Sequence, residues 1–276
     1  VACVSYLNTQ PLVAGLEKLP QIRLLPMVPS AIAGSVLRGE AELGLCSLVD
    51  CHRHGLVRLP VGMIACDGPT LTVRLLSNVP WQQVRTLHAD TDSHTSVVLA
   101  QVLLKRAFGV QGVSVVPWKE SSPGGHAPQT LLMIGDKVVL RASEAREYAY
   151  SLDLGEAWKQ LTNLPFVYAM WATTPALARE ERVHLAASLL DRQRRHNAGR
   201  LGWIVRTHAP RLGWPLPEAE RYVQSLLRFG PDEQSELGAQ TFLRYAVEDG
   251  LLAPAAHADE LDSSHVQAHA HASTQH

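Results

Sequence analysis

The sequence predicts an α/β protein in two lobes, and three observations carry that prediction. The chain has 276 residues, beyond the usual size of a single domain. Its 46% hydrophobic content is enough for a sizeable core. Strand-like apolar runs also alternate with helix-like ones from the first residue onward, which is the pattern of βαβ units and a largely parallel sheet.

The elements follow in order. Residues 1–4 read as a buried strand, and Pro11 opens a helix predicted over 11–19. A strand is expected at 22–27. The next helix, 29–38, starts at Pro29-Ser30 and stops at Gly39, and it precedes a strand at 43–47. Residues 71–76 form another strand, punctuated by Asn78-Val-Pro80. A second βα set then begins, with a strand at 84–89, a polar turn at 90–95 and a helix at 96–108. Ser121-Ser-Pro-Gly-Gly-His-Ala-Pro128 has the composition of a flexible loop. The strand 130–134 ends at Gly135-Asp136, a further strand-like run covers 166–171, and from Pro175 the pattern turns helical. Arginine-rich 191–200 lies inside that helical stretch and reads as a solvated helix face. The small, polar, histidine-rich tail at 255–276 is expected to be disordered.

With 25 Lys+Arg against 26 Asp+Glu, no global field attracts nucleic acid or an acidic membrane surface. Recognition of an anion must therefore be local. No apolar run approaches the roughly 20 residues that span a bilayer, and no charged n-region precedes Val1, so a cytoplasmic protein without a membrane partner is expected. Cys3, Cys46, Cys51 and Cys66 sit on or beside apolar segments and read as reduced, packed thiols. Cys46 and Cys51 could join His52 and His54 around a metal, but neither belongs to a CxxC pair of the zinc kind, and no metal is expected. Oligomeric state is left open.

Five stretches carry a resemblance: Val4-Ser-Tyr-Leu-Asn-Thr-Gln-Pro-Leu12, Cys66-Asp-Gly-Pro-Thr-Leu-Thr-Val73, Ser93-His-Thr-Ser96, Leu132-Met-Ile-Gly-Asp136, and Asp153-Leu-Gly-Glu-Ala-Trp158 followed by Leu164-Pro-Phe-Val167. In this order they make the chain, from residue 1 to about 252, resemble the chorismate dehydratases of the futalosine route to menaquinone. The resemblance implies a type II periplasmic-binding-protein-like fold with a ligand cleft between two lobes. The lobes would exchange strands near 71–76 and 166–171, with one lobe formed by 1–76 and 172–252 and the other by 77–171. It implies loss of water from chorismate to give 3-[(1-carboxyvinyl)oxy]benzoate, with no metal or organic cofactor. A related enzyme later in the route would begin with a motif rich in Pro and Cys, so Ser-Tyr-Leu-Asn favours the dehydratase. The alternatives are a solute-binding protein that shares the fold, or a paralogue acting on another cyclic carboxylic acid.

On that resemblance, Ser5, Tyr6 and Asn8 leave the first strand at the edge where open α/β sheets bind ligands. Asn8 offers a donor and an acceptor to the ring, although it could equally cap the Pro11 helix. The turn holding Ser93, His94, Thr95 and Ser96 opens a helix and suits a carboxylate, because free N–H groups and the helix dipole favour negative charge there. Gly68 and Thr72 form a third contact region. The family more often has serine at Thr72 and arginine at His94, so this chain adds a methyl group and lacks a permanent cation. Asp136, at a strand end, is the protein's candidate general base; capping the next turn is its other possible role, and the substrate's own enolpyruvyl carboxylate is the other possible base.

Overall fold

The computed structural model describes residues 1–90, 92–118 and 127–255, so most of the 121–128 loop and nearly all of the tail lie outside the described residues. One sheet consists of β1 (Ala2–Cys3), β2 (Leu25–Pro26), β3 (Gly44–Ser47), β4 (Val57–Cys66), β10 (Phe166–Thr173) and β11 (Leu227–Arg228), ordered β11-β4-β10-β3-β1-β2. The other consists of β5 (Val73–Ser77), β6 (Thr86–Ala89), β7 (Ser114–Pro117), β8 (Thr130–Ile134) and β9 (Tyr150–Asp153), ordered β7-β6-β8-β5-β9.

The two sheets share a plan. In the first, β1 runs parallel to β2 and β3, whereas β10 is antiparallel to β3 and β4. In the second, β6 runs parallel to β7 and β8, whereas β5 is antiparallel to β8 and β9. Each antiparallel strand is the first one laid down after the chain crosses from the other sheet. Strands are thus exchanged near the two places expected, but the bounds need correction. The 71–76 segment, assigned to the first lobe, supplies β5 of the second sheet, and 166–171, assigned to the second lobe, supplies β10 of the first.

The first crossing falls early because Asp153 pins it. Its buried carboxylate accepts the N–H of Thr70 (2.9 Å), Leu71 (2.8 Å), Gly155 (3.1 Å) and Glu156 (3.2 Å). Four amides satisfy a charge that would otherwise be costly to bury. The pinned turn holds Leu71 at φ 67, a left-handed conformation unusual for a branched residue. Gly155 must lack a side chain there, since a Cβ would meet Cys66 Sγ and the Gly68 carbonyl oxygen at 2.6 Å.

The predicted helix at 11–19 is shorter: α1 (Gln10–Val13) ends before Gly15, whose φ of 96 breaks the run, and a 3₁₀ turn follows. Next come α2 (Pro29–Leu37), α3 (Leu48–Arg53) and α4 (His94–Phe108), then the short α5 (Lys137–Leu140) and α6 (Ala142–Ala145). Helix α7 (Leu154–Thr162) leads back to the first sheet, which α8 (Glu181–Ala198), α9 (Leu201–His208), α10 (Leu216–Arg221) and α11 (Glu233–Glu248) complete. Arg194 and Arg195 in α8 pair with Asp191, in keeping with a charged helix face.

One core runs through both sheets. At its centre Trp158 of α7, Phe166 of β10 and Phe242 of α11 meet edge to face, at 5.4 Å for Trp158–Phe166 and 5.0 Å for Phe166–Phe242. Such pairs contribute about 1 kcal/mol each beyond area burial. All four cysteines are buried unpaired thiols, and burial pushes Cys3 up to about 11 and Cys66 up to about 12. They are packing groups at neutral pH.

Candidate active site

A cleft opens where the carboxyl ends of β1 and β3 face the crossing turn and the start of α4. Tyr6 and Asn8 come from the segment after β1, Thr72 from the crossing, and Ser93 and Ser96 from the head of α4. These five predicted residues meet in one wall. Gly135 ends β8 at φ 78 and lets the Tyr6 ring close over it, within 3.5 Å of where a Cβ would stand. Burial, with help from nearby Asp92, raises the Tyr6 phenol above its ordinary value, so it is a hydrogen-bond donor at neutral pH.

Asn8 does not cap a helix. It sits inside a 3₁₀ turn, Leu7–Thr9, and the residue before α1 is Thr9, which makes no side-chain cap. The Asn8 Oδ1 accepts from Thr9 Oγ1 at 3.3 Å, and the amide group lies beside the Tyr222 phenol. Thr72 Oγ1 lies 2.8 Å from the Tyr222 hydroxyl, and both side chains are buried. At the head of α4, Ser93 caps the helix through a 3.4 Å bond from the Ser96 N–H, and the two hydroxyls lie 3.1 Å apart. Capping and lining thus coincide at Ser93. Among the described residues no acceptor meets the N–H groups of His94 and Thr95.

Five predicted residues do not form the wall. Ser5 is exposed, because alternation after the two-residue β1 turns it away while Val4 faces in. Gly68 serves the crossing turn at φ 122. Thr95 is fully buried and its hydroxyl accepts the Val49 N–H at 3.1 Å, bridging from α4 to α3. His94 turns its Nδ1 to the buried Asp50 carboxylate, 2.7 Å away. Asp136 makes no cap for α5 and is not among the lining residues; its carboxylate faces the Leu7 backbone and the Trp214 indole. Burial raises its pKa, which those two donors only partly offset.

Sequence reasoning missed Ser47, Tyr168 and Tyr222. Ser47 lines the cleft, caps α3 through the Asp50 N–H (3.1 Å) and donates to the Asp50 carboxylate (2.8 Å). Its Ser-x-x-Asp spacing was a readable capping signal. Tyr168 lies in the strand-like run 166–171, where one phenol among apolar residues reads as core. Tyr222 lies in a turn of π-helix, Tyr222–Leu226, inside a stretch that reads as uniformly helical.

Two α/β lobes with exchanged strands and a cleft at the crossing define the periplasmic-binding-protein class, and solved structures of that class are similar. A protein of Archaeoglobus fulgidus matches with a TM-score of 0.65 at 12% identity, over 91% of this chain and 98% of that one. A Candida albicans protein with the generic periplasmic binding protein fold matches at 0.64 and 9% identity, over 91% and 90%. The periplasmic aliphatic sulphonate binding protein of Escherichia coli gives 0.59 at 14% identity, over 92% and 88%. At these identities the likeness establishes the fold alone. The particular family comes from the sequence: the chain belongs to the menaquinone biosynthesis family, whose model matches residues 1–248. The chorismate dehydratase of Thermus thermophilus is 30% identical over 258 residues, 86% of this chain and 91% of the relative.

Proposed function

We propose that this protein is a hydro-lyase that converts chorismate to 3-[(1-carboxyvinyl)oxy]benzoate. Family membership and the Thermus thermophilus relative give the reaction its place in menaquinone biosynthesis. The observation that carries the reading in the structure is the cleft wall: hydroxyls, one amide and aromatic rings set among aliphatic side chains, with no charged side chain among the described lining residues. Chorismate is a dianion, and any carboxylate in the wall would repel it. Neutral donors bind it without that cost. One carboxylate fits the head of α4, where Ser93, Ser96 and the unpartnered N–H groups face it in line with the helix dipole. Asn8 and Thr72 are placed to hold the ring.

In the reaction the C–H bond at the ring carbon bearing the enolpyruvyl ether breaks, and its electron pair becomes a ring double bond. The neighbouring C–O bond breaks, and hydroxide leaves with the proton as water. Aromatisation supplies the driving force, so orientation and charge stabilisation are the protein's tasks. No carboxylate or imidazole stands among the described lining residues, which favours the substrate's enolpyruvyl carboxylate as proton acceptor. Asp136, which does not line the cleft, then has a supporting role.

Incubating the protein with chorismate and following the ultraviolet change as the diene becomes a benzoate tests the reading. Stoichiometric conversion is expected. Unchanged chorismate with folded protein would sink it.

A further inference from the structure

We infer that Tyr222 is a positioning residue of this site, with its phenol joining Asn8 to Thr72 so that the Thr72 hydroxyl is aimed into the cleft. The inference rests on the dehydratase reading and adds to it a residue outside all the motifs that pointed there. Tyr222 is 1% exposed, yet its oxygen reaches the cleft wall, 2.8 Å from Thr72 Oγ1. Its ring cannot swing. It stacks on Trp214 with centroids 5.0 Å apart and planes 10° from parallel, and the π-helical turn at Tyr222–Leu226 bulges at this residue.

The donors order themselves along this line. Asn8 Oδ1 is taken by Thr9, so the Asn8 N–H group is the end near the phenol, where it would stabilise a negative oxygen. The phenol stays protonated because burial pushes its pKa far up, against the lowering by Thr72 and Asn8; Asp136 and Cys66 are the titratable groups facing it, and both push the same way as burial. A phenol that accepts from Asn8 donates onward to Thr72, and the Thr72 proton is then directed to the ligand. Each bond polarises the next, so the line acts as a unit. It also gives the Thr72 methyl group a fixed side: with Oγ1 held by Tyr222, the side chain has one rotamer.

The test is a double-mutant cycle with Tyr222→Phe and Thr72→Val, assayed on chorismate. Tyr222→Phe keeps the ring and its stacking. The expected result is a loss in kcat/KM of about tenfold or more in the parent and about twofold or less in the Thr72→Val background. Equal losses in the two backgrounds, or parent-like kcat/KM for Tyr222→Phe, would overturn the inference while leaving the dehydratase reading intact. A parent that leaves chorismate unchanged overturns both. If Tyr222→Phe does not fold, placing difluorotyrosine at 222 alone gives an isosteric, more acidic phenol. kcat/KM should then fall at an alkaline pH where the parent's profile is still flat, and superimposable profiles count against the role.

Discussion

The two ends of α4 handle charge in opposite ways. At its head, beside the cleft, Ser93 and Ser96 present hydroxyls, Thr95 is spent on α3, and the one ionisable side chain, His94, is turned to Asp50. At its tail, Lys105 and Arg106 bind Asp249 at 3.1 and 2.8 Å, and Arg106 also holds Glu248. Both ends fasten the second sheet's helix to the first lobe, the head to α3 and the tail to the end of α11. Cations near a helix C-terminus gain from the dipole, whereas anions are welcome at the N-terminus. The helix thus spends its charged residues where they stabilise the fold and keeps the cleft end free of them, which is what the proposed carboxylate site at its head requires.

Putting an anion in the uncharged wall beside that head should break the contrast most. Asn8→Asp keeps size and removes the donor, so turnover of chorismate should fall by about 10² or more, a loss of about 2.7 kcal/mol, with an unchanged circular dichroism spectrum. Near-normal turnover would remove Asn8 from the site. Next in size is the charged end. Arg106→Met leaves the nearly buried Asp249 short of its main partner and should lower unfolding stability by about 1 to 3 kcal/mol in urea, with kcat/KM changed no more than about twofold.

The contrast sharpens within one turn of the head. Ser96→Ala should raise KM about tenfold with a thermal midpoint within a few degrees of the parent. Thr95→Val, whose hydroxyl accepts the Val49 N–H, should do the reverse and lower the midpoint more than it raises KM. Equal effects from both variants would erase the distinction between wall and bridge.

The smallest effect is an acid slope. Burial opposes ionisation of Asp249, but Arg106 and Lys105 outweigh it and hold the carboxyl below its usual range. A depressed carboxylate stabilises the fold above its unfolded pKa, about 3.9, and that share is lost as pH falls through the folded value. Thermal melts below about pH 4 should therefore fall less steeply in Arg106→Met than in the parent. Parallel slopes would assign acid sensitivity to other groups.

Much of this was legible in the sequence. The alternation of runs gave β8 at 130–134 and α2, β3 and α4 to within two residues at each end, because periodicity reports burial directly. What could not be read was geometry between distant residues. Ser93 and Thr95 have the same helix-start chemistry and differ only in what α3 places opposite them. His94 stands in a binding motif but meets a carboxylate 44 residues away. Tyr222 offered no local signal, since its partner Thr72 is 150 residues earlier. The crossing bounds were misjudged for a related reason: Asp153, far down the chain, decides where the first crossing turns.

The exchanged strands also set a schedule. The second sheet is contiguous, from Val73 to Asp153, whereas the first cannot close its gap between β3 and β4 until β10 is made about 100 residues later. On a ribosome working from the N-terminus, the middle of the chain finishes first, and the opening segment waits with β4 unpaired on both sides and β3 open on one. The cleft is completed later still, when Tyr222 arrives. Truncated chains that stop before it would carry the recognisable motifs without a working pocket.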